Sequence, residues 1–178
     1  MARAARALGW MLASLALATP ALARADFPCN GCELHLGLGG TYHFWGATGG
    51  TVIPLTLTFD QDRYEVGIFR LATAQTMDER GRHAPHLLAE PYWGISASRR
   101  WRLAGGSGWR VDFGFGASYK TEADPLNATR LNFASQLALR VRMPGHASDL
   151  ELSMRHWSNG GIRLPNRGQD FFIASFQF

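Results

Sequence analysis

Residues 150–178 read LELSMRHWSNGGIRLPNRGQDFFIASFQF. Apolar and polar residues alternate on both sides of a turn rich in Gly, Pro and Asn, a pattern that predicts a β-hairpin. Because side chains two residues apart in a strand share a face, each strand presents one apolar face. The apolar face of the first strand continues into His156 and Ser158, and that of the second strand continues into Asp170. A histidine, a serine and a carboxylate are therefore predicted at one end of an apolar surface.

The same alternation recurs through the rest of the chain. Six further segments show it, at 33–44, 51–59, 63–71, 87–97, 109–119 and 131–143. Together with the hairpin they make eight strands, the pattern of a small outer-membrane barrel with apolar residues outside and polar residues inside. We therefore predict an all-β fold, an eight-stranded antiparallel transmembrane β-barrel.

The face opposite the apolar one supplies the predicted interior. It is rich in Gly, Ser and Ala, and its charged residues are Glu65, Glu90, Arg110, Asp112, Arg140 and Arg142. The interior of an eight-stranded barrel is filled by side chains, so these charges are expected to pair with one another. A soluble lipocalin-like barrel would have the reverse pattern, with apolar residues inside and charges outside.

The N-terminal segment has the pattern of a secretory signal peptide. Two arginines precede a short apolar run, residues 8–18, and small residues then suit cleavage after Ala23 or Ala25. We expect residues 1–25 to be the signal peptide and residues 26–178 to be a single outer-membrane barrel domain. Lys and Arg number 18 against 14 Asp and Glu, and three of the arginines precede residue 25, so the mature chain is nearly neutral. The sequence contains no basic patch that would indicate nucleic acid binding.

Two cysteines, Cys29 and Cys32, precede the first predicted strand. Because an exported chain meets an oxidising compartment, we expect a local disulfide between them. A redox-active or metal-binding pair stays open as an alternative, although two thiols alone are few for a zinc site.

Link lengths indicate which end of the barrel carries the hairpin turn. An even-stranded barrel has both chain termini at one end, and in outer-membrane barrels this periplasmic end carries the short turns. Short links are predicted at 60–62 and around 144–145, with a longer one at 99–108. The links predicted at the opposite, extracellular end are 46–50, 73–86, 120–129 and 159–169. The polar residues of the hairpin would then face the outer leaflet, which in a Gram-negative cell contains lipopolysaccharide.

The three polar residues of the hairpin are the residue types of a nucleophilic acyl-transfer triad. A serine becomes a strong nucleophile when a base takes its proton, and His156 can reach Ser158 from two residues away. Asp170 could hold the other imidazole nitrogen. The intervening loop could stabilise an oxyanion through Asn159, Gly161 or Asn166. On spacing alone, the alternative is that His156 and Ser158 are interfacial polar residues beside an ordinary turn.

The hairpin also contains a specific motif, HWSNGGIR at 156–163 followed by PNRG at 165–168. In order and spacing it resembles the C-terminal signature of the lipid A 3-O-deacylase (PagL-type) family, also called acyloxyacyl hydrolases. The resemblance implies an eight-stranded outer-membrane barrel that removes the ester-linked 3-position acyl chain of lipid A with a Ser-His-Glu triad on its outer surface. It also implies that Ser158 is the nucleophile, His156 the base and Asn166 the asparagine of the oxyanion hole.

The chain departs from the family at the acid, where Asp170 stands in place of glutamate. Aspartate is one methylene shorter, which predicts a longer or lost hydrogen bond to His156. No carboxylate cluster in the sequence requires calcium, and we expect neither a metal nor another cofactor. The expected partner is the lipid A of lipopolysaccharide, bound by a monomer that is integral to the outer membrane of a Gram-negative bacterium.

Two other functions stay open at this point. One is a phospholipase A-like acyl hydrolase, whose chemistry would be identical. The other is a catalytically silent barrel that binds lipopolysaccharide or serves as a structural surface protein, and the aspartate at position 170 is the feature that favours it.

Overall fold

The strands of the protein are β1 (Glu33–His43), β2 (Gly46–Phe59), β3 (Tyr64–Ala72), β4 (Tyr92–Gly105), β5 (Trp109–Lys120), β6 (Leu131–Val141), β7 (Leu150–Ser158) and β8 (Gln169–Gln177). They come from a computed structural model that describes residues 29, 31–43, 46–72, 91–123, 127–146, 148–164, 166 and 168–178. Each strand pairs antiparallel with its neighbours in sequence, and β1 pairs with β8, so the sheet closes into a barrel. The predicted fold is confirmed. Among these residues no helix has the length and the apolar character needed to cross a membrane.

Two predicted strand boundaries are wrong. β2 begins at Gly46, so residues 46–50 belong to a strand rather than to a link. β4 continues to Gly105, which reduces the predicted link at 99–108 to residues 106–108. Its arginine-rich end has the composition of a solvated link, but carboxylates inside the barrel bind Arg100 and keep this segment in the sheet. The predicted start of this strand, residues 87–90 with the inward charge expected at Glu90, lies outside the described residues, as does the expected signal peptide, residues 1–25.

Apolar side chains cover the outside of the barrel. Ile68 is 49% exposed, Leu131 67% and Phe172 51%, whereas their neighbours along the strands are mostly buried. Exposed large hydrophobic residues on every second position are expected where the outer surface of a barrel faces lipid. Before the first strand, Cys29 and Cys32 form the expected disulfide, with their Cα atoms 5.6 Å apart.

The two ends of the barrel carry different connections. One end, called the turn end here, has the β2–β3, β4–β5 and β6–β7 links, at 60–63, 106–108 and 142–149. The start of β1 and the end of β8 also lie at this end. The other, called the loop end, has the β1–β2, β3–β4, β5–β6 and β7–β8 links, at 44–45, 73–91, 121–130 and 159–168. β7 therefore runs from the turn end to the loop end, and β8 returns.

Ion pairs fill the half of the interior near the turn end. Arg100 binds three carboxylates, those of Glu151 at 2.8 Å, Glu65 at 2.9 Å and Asp112 at 3.1 Å. Arg155 binds Glu65 as well, through both of its terminal nitrogens. A charge away from water is tolerated when partners and hydrogen bonds replace its hydration, which explains why acids and arginines occur together here. The predicted pairing of inward charges is present.

The network extends to the turn end itself. Asp62, in the β2–β3 turn, binds Arg140 at 3.3 Å and Arg110 at 2.5 Å. Burial works against its charge, yet hydrogen bonds shared with Glu33 and received from Arg110 hold the pKa of Asp62 well below its usual range. Arg142, which was expected to point inward, is exposed because β6 ends one residue before it.

An apolar cluster fills the half of the interior near the loop end. Trp157 of β7 is 1% exposed, and its indole meets Phe69 and Phe171 edge-on, with ring centroids 5.1 Å apart in both pairs. Gly94 makes room for the indole, because a Cβ at this position would lie 2.7 Å from it. The remaining members are Val52, Leu71, Tyr92, Ala134 and Ile173. The alternation predicts mainly small and polar residues inside, so this packed support behind the end of β7 is a difference from the prediction.

Candidate active site

His156 and Asp170 lie directly opposite each other in the pair formed by β7 and β8. The imidazole Nδ1 and the carboxylate Oδ1 are 2.7 Å apart. The side chain of Asp170 is 9% exposed and that of His156 is 44% exposed, so the acid is shielded while the imidazole stays accessible. The longer or lost hydrogen bond expected from the short aspartate is wrong. Because side chains of directly opposed residues on one face of an antiparallel pair start close together, the aspartate needs no extra methylene to reach the ring.

Ser158 is the last residue of β7 and lies on the same outward face as His156, two residues nearer the loop end. Continuing the register of β7 with β8 by one residue puts Ser158 opposite Gly168. Gly168 has a φ of 70°, and a Cβ added to it would lie 2.4 Å from Cε1 and 3.1 Å from Nε2 of His156. The ring edge that carries Nε2 therefore rests against Gly168, at the level of Ser158 and away from Asp170.

The β7–β8 loop is organised around the side chain of Asn159, which is 1% exposed. Its Oδ1 accepts a hydrogen bond from the backbone N–H of Gly161 at 3.0 Å, and its Nδ2 donates to the carbonyl of Arg163 at 2.7 Å. The backbone N–H of Asn159 donates to Oδ1 of Asn166 at 2.9 Å. Gly160 and Gly161 have φ values of 64° and 82°, which glycine adopts without strain. Of the three residues considered for an oxyanion site, Asn159 and Gly161 thus bind each other.

Asn166 differs from these two residues because its side-chain amide keeps a hydrogen-bond donor for another molecule. Its oxygen accepts the bond from Asn159, so the amide nitrogen Nδ2 is the half of the side chain that can donate to another molecule. The structure brings Asn166 to the same end of the barrel as Ser158, across the loop that joins β7 to β8.

Three further residues belong to this arrangement in roles that the sequence did not indicate. Gly168 supports the imidazole, Trp157 fills the interior behind it, and Asn127 donates to the carbonyl of Trp157 at 3.4 Å. The inward position of Trp157 could be read from its parity, since it lies between two outward residues of β7. Asn127 gives no local signal, because the contact joins residues 30 positions apart.

A group of possible metal ligands lies at the opposite end of the barrel. The ligand atoms of Glu33, His35 and Asp62 lie within 4.8 Å of one another, and this is the group found among the described residues. Arg140 lies 2.9 Å from Glu33 and 3.3 Å from Asp62. Its guanidinium already balances both carboxylates, so a divalent cation would have to compete with it. The residues fit an ion pair better than a metal site.

The fold and this site together define a class of protein. A closed barrel with an apolar exterior and a charged interior is an outer-membrane β-barrel. Its polar site contains the hydrogen-bonded pair His156 and Asp170, with Ser158 on the same face, and lies on the outer surface at the loop end.

The chain belongs to the lipid A 3-O-deacylase (PagL) family, whose model matches residues 67–178. The family implied by the hairpin motif is thereby confirmed. Membership identifies the chain as a hydrolase of the class that acts on lipid A. No curated protein sequence matches the chain.

Solved structures with the same fold are outer-membrane proteins. The crystal structure of the outer membrane enzyme PagL is similar with a TM-score of 0.59 and 14% sequence identity, over 82% of this chain and 98% of that chain. Neisserial surface protein A (NspA) is similar with a TM-score of 0.50 and 9% identity, over 82% and 93% of the two chains. At these identities the likeness shows the shared barrel.

Proposed function

We propose that this protein is an outer-membrane esterase that removes the ester-linked 3-position acyl chain of lipid A by serine catalysis. The observation that carries the proposal is the 2.7 Å hydrogen bond between His156 and Asp170 beside Ser158, in a chain of the lipid A 3-O-deacylase family. Ser158 is the nucleophile, His156 the general base and then the general acid, and Asp170 the residue that orients the imidazole.

The position of the site suits a substrate held in a membrane. Ser158 lies at the loop end of the barrel. The short turns, the start of β1 and the end of β8 lie at the turn end. In outer-membrane barrels the short turns are periplasmic, so the loop end is extracellular. The outer leaflet at this level contains lipid A, and its ester bonds lie just below the sugar headgroup. The outer surface of the barrel between the site and the turn end is apolar. The acyl chain can therefore stay among the lipid tails against this surface while its ester bond reaches Ser158.

The first half of the reaction forms an acyl-enzyme. The hydroxyl of Ser158 attacks the ester carbonyl carbon while Nε2 of His156 takes its proton. The carboxylate of Asp170 accepts a hydrogen bond from the N–H at Nδ1 of His156. This bond holds the tautomer with a basic Nε2 and stabilises the imidazolium as it forms. The tetrahedral intermediate collapses when the carbon–oxygen bond to the sugar breaks, and His156 returns the proton to the departing sugar hydroxyl.

The second half of the reaction releases the fatty acid. A water molecule gives a proton to His156 and attacks the acyl carbon, and the proton then passes to the oxygen of Ser158 as the acyl bond breaks. In both halves the carbonyl oxygen gains negative charge, and the amide nitrogen of Asn166 is the group we assign to stabilise it. Asn159 and Gly161 shape the loop around that amide. A donor already oriented by its neighbours stabilises an oxyanion strongly where water is excluded.

Processing and assembly are part of the same proposal. Export would require the signal peptide at residues 1–25, cleaved after Ala23 or Ala25, and the barrel domain, residues 26–178, would be a monomer in the outer membrane. N-terminal sequencing of the protein recovered from outer membranes should give Arg24 or Asp26 as the first residue.

Mass spectrometry of lipid A from a Gram-negative host that expresses the protein tests the proposed function. Wild-type protein should remove one acyl chain, and Ser158→Ala protein present in equal amounts in the outer membrane should leave lipid A intact. A parallel assay with glycerophospholipid vesicles decides against a phospholipase if no fatty acid is released. Intact lipid A in the presence of abundant folded wild-type protein would mean that the barrel is catalytically silent and that the proposal is wrong.

A further inference from the structure

Asn127 is a fully buried residue of the β5–β6 link, 0% exposed although it lies outside the strands. Polar side chains of links usually face water, because connecting segments run over the surface of a protein. The burial of the Asn127 amide inside the loop end of the barrel is therefore unusual, and the contacts of this residue explain it.

The contacts of Asn127 reach both parts of the proposed site. Its Nδ2 donates to the carbonyl of Trp157 at 3.4 Å, and this carbonyl belongs to the peptide bond that leads into Ser158. Its backbone pairs with that of Asn166 as an isolated antiparallel bridge. One residue thus touches the strand that carries the nucleophile and the residue assigned to the oxyanion.

Asn127 is itself held in place from two directions. Nζ of Lys120, a fully buried residue at the end of β5, donates to its backbone carbonyl at 3.4 Å. The hydroxyl of Thr129 is shared between Oδ1 of Asn127, at 3.3 Å, and Oδ1 of Asn132, at 3.0 Å. With Oδ1 accepting from a hydroxyl, Nδ2 is the atom that faces Trp157, which agrees with the donor role given to it.

We propose that Asn127 is a positioning residue, which sets the distance between Ser158 and the amide of Asn166 by binding the Trp157 carbonyl and the Asn166 backbone together. This inference rests on the proposed function. Nucleophile and oxyanion donor lie on different segments, the end of β7 and the far side of the β7–β8 loop. The bond from the Asn159 N–H to Oδ1 of Asn166 joins these segments directly, and Asn127 joins them a second time from inside the barrel. Catalysis depends on this spacing, since a misplacement of about 1 Å can cost about 100-fold in rate.

Asn127→Asp is the variant that tests the proposal, because it keeps the shape of the side chain and its Oδ1 but turns the donor that faces the Trp157 carbonyl into an acceptor. Asn132→Asp is the matched control. Asn132 is also buried. Its Nδ2 donates to the carbonyls of Thr129 at 3.3 Å and Arg130 at 3.0 Å, and its Oδ1, which the substitution keeps, accepts from the Thr129 hydroxyl at 3.0 Å. Both variants make the same chemical change in the same region, and Asn127 is the residue whose amide donates to the Trp157 carbonyl.

The experiment measures kcat and KM for release of fatty acid from purified lipid A in detergent, together with the rate at which a fluorophosphonate labels Ser158. Heat-modifiable mobility in a gel shows that each barrel is folded. We expect Asn127→Asp to lower kcat and the labelling rate by about 100-fold with little change in KM, and Asn132→Asp to stay close to wild type. Asn127→Ala, which removes the amide without adding charge, should give the same pattern.

The possible outcomes separate this inference from the proposed function. If wild type deacylates lipid A and folded Asn127→Asp and Asn127→Ala do so equally fast, or if Asn132→Asp loses as much activity as they do, Asn127 is not a positioning residue and the proposed function stands. If the loss appears in KM rather than in kcat, Asn127 acts on binding and the inference is wrong. If wild type neither deacylates lipid A nor reacts with the fluorophosphonate, the proposed function and this inference are both wrong.

Discussion

Replacing Asp170 by asparagine should lower the turnover of the enzyme by several orders of magnitude while leaving the barrel intact. The carboxylate lies 2.7 Å from Nδ1 of His156, and its side chain is 9% exposed, so no water molecule can easily take its place. Asparagine has the same shape but can donate a hydrogen bond to Nδ1, which favours the tautomer whose Nε2 carries the proton and cannot act as a base. The corresponding loss in a serine triad is about 10⁴-fold, which corresponds to about 5.4 kcal/mol in the activation free energy.

The assay for this prediction is the release of fatty acid from lipid A, measured as kcat for purified, folded protein. Asp60→Asn is a suitable control, because it makes the same change in a half-exposed residue of the β2–β3 turn at the other end of the barrel. Asp170→Glu, which introduces the residue of the family, should keep far more activity than Asp170→Asn because it keeps a carboxylate. Activity of folded Asp170→Asn within about tenfold of wild type would show that Asp170 does not orient His156; Ser158 and His156 would then act as a dyad.

Three other substitutions have outcomes that follow from packing and charge. Gly168→Ala should lower kcat by about 100-fold in a folded barrel, since a Cβ would lie 2.4 Å from Cε1 of His156 and the ring must move; deacylation at the wild-type rate would contradict the contact. Arg100→Ala should destabilise the barrel by about 3–5 kcal/mol, because three buried carboxylates lose their shared partner; an unchanged urea midpoint would count against this ion-pair network. Trp157→Ala should cost about 3–5 kcal/mol in the same unfolding experiment, and a smaller loss would mean that the interior collapses around the missing indole.

Much of the fold and part of the site could be predicted from the sequence because they depend on alternation. The period of two assigns each residue of a strand to a face, so the outward positions of His156, Ser158 and Asp170 follow from their spacing to apolar neighbours. The motif that begins at His156 is specific enough in order and spacing to indicate the family by itself. Composition misled the prediction at Arg100, where a run of arginines belongs to a strand because its partners lie inside the barrel.

The distances within the site came from the register of the strands. Parity places His156 and Asp170 on one face, but only the pairing of β7 with β8 makes them direct neighbours and brings the aspartate to 2.7 Å. A shift of the register by two residues would keep the face and separate the two side chains. The register of β7 with β8 cannot be predicted from the sequence of the hairpin, because the loop between the strands can have several lengths and conformations.

The contacts between side chains in the interior depend on how the barrel closes. Arg140 meets Glu33 across 107 residues of sequence, and Asn127 meets Trp157 across 30. Alternation is a property of each strand alone, and it can therefore be read from the sequence. Which inward side chains meet depends on how all eight strands are staggered around the barrel, so the ion pairs, the aromatic cluster behind Ser158 and the link residue that reaches it are visible only in the tertiary structure.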